Sequence, residues 1–127
     1  MASILIIDHE ESIRYTFTDF LKAAGHNVVT ATRFAESLEK IRQTDFDIVF
    51  AEVLLNDGNG MHLLEQIVQL NPVCRVIMMG GYPNHNIQES VLSRGAYAYL
   101  QKPVSQRMLL DIVDIAIQSI TERSGAS

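Results

Sequence analysis

Short, almost wholly apolar runs alternate with stretches of helical spacing along this chain, and that alternation restricts the fold more than any single motif does. The runs are Ile4-Leu5-Ile6-Ile7, Val28-Val29-Thr30, Ile48-Val49-Phe50-Ala51, Val76-Ile77-Met78-Met79 and Tyr97-Ala98-Tyr99-Leu100. Each is short for a helix, and most lack the polar alternation of a strand with one wet face, so strands covered on both sides are indicated. Between them, Ile13, Phe17, Phe20, Leu21 and Ala24 recur at helical spacing behind the acidic pair Glu10-Glu11, with Gly25 as the stop. A second helix carries Phe34, Leu38 and Ile41 with Thr32 as its cap, and a third carries Leu63, Leu64, Ile67 and Val68 up to Asn71-Pro72. A fourth opens at Tyr82-Pro83-Asn84, and the last runs from the cap Ser105 to about Thr121. Strand then helix, five times over with short connections, predicts an α/β domain with a doubly wound five-stranded parallel sheet over residues 1–121, leaving 122–127 as a tail or the start of a linker.

In open parallel sheets, chemistry gathers outside the carboxyl ends of the strands. The runs here end in Asp8-His9-Glu10, in Glu52, in Gly80-Gly81 and in Gln101-Lys102-Pro103. One edge should therefore collect two acids and a lysine, a set suited to phosphoryl chemistry or, more plainly, to a structural ion pair.

The 127 residues suffice for one core, and a net charge of −5 repels a phosphate backbone or an anionic membrane, which argues against direct nucleic-acid or membrane binding. Cys74 is the single cysteine, so neither an internal disulfide nor a cysteine metal cluster is available. The N-terminus lacks a basic leader segment, and the chain is expected to be cytoplasmic. A flavin site would need a hydroxyl-rich cradle after the first strand, where Asp8-His9-Glu10-Glu11 stands, and no P-loop, dinucleotide fingerprint or nucleophile elbow is present, so no enzyme is indicated.

The order of motifs is more specific than any one of them. Ile4 to Arg14, the stretch Asp47-Ile48-Val49-Phe50-Ala51-Glu52 running on to Gly60, Val76 to Tyr82, and Gly95 to Pro103 together resemble the receiver domain of bacterial two-component response regulators, from about Ser3 to Thr121. The resemblance implies a sheet of strand order 2-1-3-4-5 and a pocket in which an acidic pair holds Mg²⁺ and an aspartate after the third strand accepts phosphate from a histidine kinase. It also implies a hydroxyl residue after the fourth strand and a lysine before a cis-proline. Asp8, Lys102 and Pro103 match that pattern, and Tyr99 matches the aromatic whose inward or outward position reports activation. His9 stands where the second acid would be, Glu52 replaces the acceptor and Gly80 occupies the hydroxyl position.

Each departure has a physical consequence. An imidazole is a poor ligand for Mg²⁺, so metal affinity should be weak, with Asp8 and Glu52 as the ligands of any ion that binds. Glu52 moves its carboxylate outward by about 1.3–1.5 Å relative to an aspartate, away from the geometry of in-line transfer and toward Lys102. Gly80 supplies no hydroxyl, and the pair Gly80-Gly81 reads either as conformational freedom for a loop that moves or, in preference, as a relaxed loop without a signalling role. The expectation is a degenerate receiver that works without phosphorylation as a protein-interaction module; the alternative is a phosphorylatable switch in a histidine-kinase phosphorelay with weakened Mg²⁺ binding. Replacing Glu52, Gly80 and His9 by Asp, Thr and Asp should on this reading restore phosphoryl acceptance. The expected partners are a histidine kinase or a downstream output domain.

Other polar residues have plainer readings. Asn56-Asp57-Gly58 is turn chemistry, Asp47 belongs at the far end of its strand, and His26, His62 and His85 lack ligand spacing and suit solvated positions; His9 either tunes the pocket with pH or is a solvated loop histidine. The last helix, 105–121, is apolar around most of its circumference, wider than the ~100° stripe that a sheet covers. Either a second copy of the chain or a following segment covers the excess, giving a candidate homodimer, or Leu110 and Ile115 are singly exposed.

Overall fold

The computed structural model describes residues 1–55, 57–81 and 85–125, without the side chains of residues 85 and 122–125. The elements follow in the order β1 (Ser3–Ile7), α1 (Glu11–Ala23), β2 (Asn27–Ala31), α2 (Phe34–Gln43), β3 (Ile48–Glu52), β4 (Leu54–Leu55), β5 (Gly58–Asn59), α3 (Gly60–Leu70), β6 (Arg75–Gly80), α4 (His85–Ser93), β7 (Ala98–Gln101) and α5 (Gln106–Gly125). The main sheet is parallel throughout, in the order β2-β1-β3-β6-β7, which is 2-1-3-4-5 when its own strands alone are counted. β4 and β5 form a separate two-stranded antiparallel ribbon within the turn-rich stretch after β3.

Period-two geometry divides each central strand between two cores. Leu5, Ile7, Val49, Ala51, Val76 and Met78 join one cluster with Leu63, Leu64 and Ile67 of α3 and Val91 of α4. Ile4, Ile6, Ile48, Phe50, Ile77 and Met79 join the other with Phe17 and Leu21 of α1 and Leu109, Val113 and Ala116 of α5. All of β3 is buried, so an unbroken apolar run is what both helical layers require. Phe50, fully buried, meets Phe17 edge to face with centroids 5.8 Å apart. Cys74 is buried too, and burial, with Asp47 nearby, pushes its thiol up to about 12.

Helix ends explain several differences from the sequence reading. Gly25 and Gly95 follow α1 and α4 with φ of 94° and 106°, the left-handed conformation that glycine adopts without strain. Ser105 caps α5 through Met108 N at 3.1 Å, and Asn59 caps α3 through Met61 N at 2.8 Å. Thr32, however, does not cap α2. Its own N–H donates to Glu36 at 2.7 Å, and Asp57 reaches across to accept from Phe34 N at 2.6 Å and Ala35 N at 3.3 Å. Asp57 is thus a helix cap supplied from a distant loop, and its carboxyl is held below its ordinary value chiefly by the Phe34 amide.

The last helix continues to Gly125, past the Thr121 expected, so residues 122–125 are helical. The Tyr82-Pro83-Asn84 opening of α4, residue Asn56 and the tail residues 126–127 lie outside the described residues, as does the side chain of His85. Two other histidines do more than solvate: His26 Nδ1 accepts from Ala2 N at 3.1 Å, and His62 stacks on Phe34 at 5.6 Å between centroids.

Candidate functional site

Strand order reverses between β1 and β3, and their register pairs Ile7 with Ala51, so Asp8 and Glu52 leave the sheet side by side at the switch point. Asp47 marks the opposite end, where its carboxylate accepts from Ser3 N at 2.8 Å. Asp8 is fully buried, and its Oδ1 accepts from Glu10 N at 2.9 Å while Arg14 donates to its backbone oxygen at 2.8 Å. Lys102 enters from the end of β7, after a backbone bond to Gly80 O at 2.8 Å and before a cis bond to Pro103. Its ammonium lies 2.8 Å from Asp8 Oδ2, 3.1 Å from Glu52 Oε1 and 3.4 Å from Glu10 Oε1.

Glu52 therefore does reach Lys102, and its second oxygen is also taken. His9 Nδ1 stands 2.6 Å from Glu52 Oε2, and the His9 backbone N–H donates to the same oxygen at 3.2 Å. Of the two readings open for His9, this contact favours a place in the pocket over plain solvation: its side chain is 42% exposed, yet one ring nitrogen is engaged. A sequence identifies an imidazole but not its partner, so this contact had no local signal.

The charges shift one another. Burial presses the Glu52 carboxyl upward, but the His9 and Lys102 hydrogen bonds outweigh it and hold it below its ordinary value. Burial raises Asp8 despite Lys102 and the Glu10 amide. It also presses Lys102 downward, where the Asp8 and Glu52 contacts overcome it and raise the group. His9 is raised, first by its bond to Glu52, with Asp8 and Glu10 adding to the effect.

A pH signature follows from these directions. Because folded His9 titrates above the unfolded 6.5, its contribution to stability is complete below 6.5 and is lost as pH rises through the folded value. Glu52 is lowered from 4.5, so its share is complete above 4.5 and is lost as pH falls through its folded value. The stability difference between the protein and a His9→Gln variant should therefore form a plateau between pH 4.5 and 6.5 and decline on both sides. Urea titrations in chelator read this difference; solvent screening of the ring keeps it modest, and a flat difference would show that the pair is not formed. Subtraction removes the opposite slope from His26, which burial lowers.

Gly80 ends β6 within the ladder, paired with Gln101, so it is not part of a relaxed loop. A Cβ there would overlap the Tyr99 hydroxyl oxygen and come within 3.0 Å of Cζ, so the space that a side chain would fill is occupied by Tyr99. That hydroxyl is buried and has no hydrogen-bond partner among the described residues, and burial raises its pKa. Gly81 faces open space and is exposed. A cleft of about 450 Å³ lies over this arrangement, with Glu52 and Met79 below and His9, Leu54, Ile87 and Lys102 around it.

Comparison with known proteins agrees with this architecture. The profile of the response regulator receiver domain matches residues 4–114. The DNA-binding transcriptional regulator NtrC of Azospirillum brasilense is 29% identical over 120 residues, 94% of this chain and 25% of the relative. The chain thus spans about a quarter of that relative's length. A CheY-like receiver domain protein from Methanospirillum hungatei JF-1 superposes with a TM-score of 0.90 at 30% identity, over 100% of this chain and 99% of that one. The beryllofluoride-activated NtrC4 receiver domain dimer gives 0.90 at 28% identity, over 94% and 99% of the two chains. A parallel sheet in the order 2-1-3-4-5, a buried acid at the switch point and a lysine before a cis-proline accompany a family match over most of the length: the chain belongs to the response regulator receiver domain family of two-component signalling.

Proposed function

We propose that this receiver operates without phosphorylation, as a protein-interaction module whose pocket is closed by charges of its own. By its resemblance to the family, Glu52 stands at the acceptor position and Gly80 at the hydroxyl position. The observation that carries the proposal is the engagement of both Glu52 oxygens, Oε1 by Lys102 and Oε2 by His9, which leaves neither aimed at an incoming phosphoryl group. Tyr99, packed inward over Gly80, supports it, since the inward position that the resemblance links to activation is filled here by the chain's own packing.

The outward surface suits partners. Met108 and Ile115 of α5 are 43% and 53% exposed, and Leu110, Ile112 and Ile117 are only partly covered. A second copy of the chain is the occupant we favour, in keeping with the dimeric NtrC4 receiver; an output segment in a longer protein of the NtrC kind is the other.

The test uses Mg²⁺ with acetyl phosphate, and separately with beryllofluoride. Intact mass and amide spectra are expected to be unchanged by either. A saturable, Mg²⁺-dependent adduct at the pocket would instead establish a phosphorylatable switch.

A further inference from the structure

We infer that the crevice is built for a divalent cation of the imidazole-binding kind, represented by zinc(II), and not for the Mg²⁺ that the receiver family implies. One ligand atom each from Asp8, His9 and Glu52 lies within 4.8 Å of the others. His9 Nδ1 is 2.6 Å from Glu52 Oε2 and 3.9 Å from Asp8 Oδ1. Metal bonds of about 2.1 Å at tetrahedral angles set ligand atoms roughly 3.4 Å apart, so an ion would take the place of the proton shared by His9 Nδ1 and Glu52 Oε2, the 2.6 Å pair opening and the 3.9 Å pair closing around it.

The donor set decides which ion. Mg²⁺ takes hard oxygens in near-octahedral order and keeps several waters, and an imidazole nitrogen in place of a carboxylate removes both a charge and a hard ligand. Zinc and its first-row neighbours accept a mixed set of one imidazole and two carboxylates readily. Lys102 does not close this option. Its ammonium uses Asp8 Oδ2 and Glu52 Oε1, whereas the His9 side of the pocket presents Asp8 Oδ1 and Glu52 Oε2, each of which accepts one backbone N–H, from Glu10 and His9, and keeps a second lone pair for an ion. Glu10, the third acid beside Lys102, keeps the local charge negative after one cation has been counted. Asp8 and Glu52 are held on neighbouring strand ends, so two ligands are fixed by the sheet and the third, His9, follows directly on β1. The inference rests on ligand chemistry alone and is independent of whether the domain is phosphorylated.

Calorimetric titration of the chelator-treated, tag-free chain is expected to show one zinc site per chain in the micromolar range or tighter, with no saturation by millimolar Mg²⁺. Cobalt(II) supplies a second readout, its visible absorption reporting a bound nitrogen ligand. His9→Gln should weaken zinc by at least about tenfold, and His9→Asp should weaken zinc while strengthening Mg²⁺. Thermal unfolding without metal establishes that each variant is folded, and the zinc-to-magnesium order in the unaltered chain tests the inference without any variant. Zinc binding that survives His9→Gln, or that is lost in His26→Gln, His62→Gln or His85→Gln instead, would mark an adventitious ion only. Mg²⁺ binding as tight as zinc, or no zinc binding at all, would equally overturn the site.

Discussion

Replacing Lys102 with methionine is expected to remove about 3–5 kcal/mol of folding stability, because it strands two buried carboxylates that now share one ammonium. Asp8 is fully buried and the Glu52 side chain is 9% exposed, so water replaces the lysine poorly; Glu52 keeps its His9 partner, and Asp8 bears the larger share of the cost. Glu10, at 46%, can be solvated, and Glu10→Gln should stay within about 0.5 kcal/mol of the parent. The loss arises from uncompensated charge and not from missing packing, which gives a control: adding Asp8→Asn and Glu52→Gln to Lys102→Met should recover most of it. The deficit should also shrink toward acid. Without the ammonium, burial holds Asp8 still further above its unfolded 3.8, and a group raised in the folded state contributes stability that is present at low pH and lost as pH rises. Urea unfolding of the variants at neutral and mildly acid pH measures both effects. A loss below about 1 kcal/mol at neutral pH would mean that the triad is solvated and not buried.

Gly80→Thr is the second large effect. The new Cβ collides with the Tyr99 hydroxyl, so the ring must leave its pocket or the strand must shift, at a cost of about 1–3 kcal/mol. Threonine suits a strand, so backbone preference does not oppose the change. The discriminating measurement is a double-mutant cycle: with Tyr99→Ala already present, Gly80→Thr should cost little, and the shortfall is the coupling between the two positions. Equal costs in both backgrounds would show that Tyr99 does not fill the Gly80 space. Tyr99→Phe alone should be neutral or stabilising, since it deletes a buried hydroxyl that has no partner. The same geometry revises the expectation that restoring Asp, Thr and Asp at positions 52, 80 and 9 suffices for phosphoryl acceptance, because the threonine must first displace Tyr99.

Features set by the chain's own periodicity were legible in its sequence. The central strands are apolar on both faces because helices cover both, so their limits, and the polar residues waiting at their ends, could be read before any contact was known. Bringing Asp8 and Glu52 to one edge needed only that the strands be parallel; setting them side by side needed the order 2-1-3 that the resemblance implied. What escaped depended on where a side chain turns or on a partner far along the chain. Asp57 sits in an ordinary turn motif, and nothing nearby announces that it caps a helix beginning 23 residues earlier. Gly80 looked permissive until the Tyr99 ring was found over it, since a rotamer is invisible in a sequence. For α5, near-continuous apolarity concealed which side meets the sheet; Leu109, Val113 and Ala116 do, leaving Met108 and Ile115 outward.

Cys74 offers a practical consequence. Thiolates, not thiols, attack alkylating reagents, and this sulfur is both enclosed and almost wholly protonated at neutral pH. The native chain is therefore expected to react far more slowly with maleimides than the same chain unfolded in urea, a difference that a thiol titration in the two states reads. A single cysteine engineered at Ile115 or Leu54 would take a dye or spin label alone, so that either the outer face of α5 or the rim of the cleft can be watched without first removing the native sulfur.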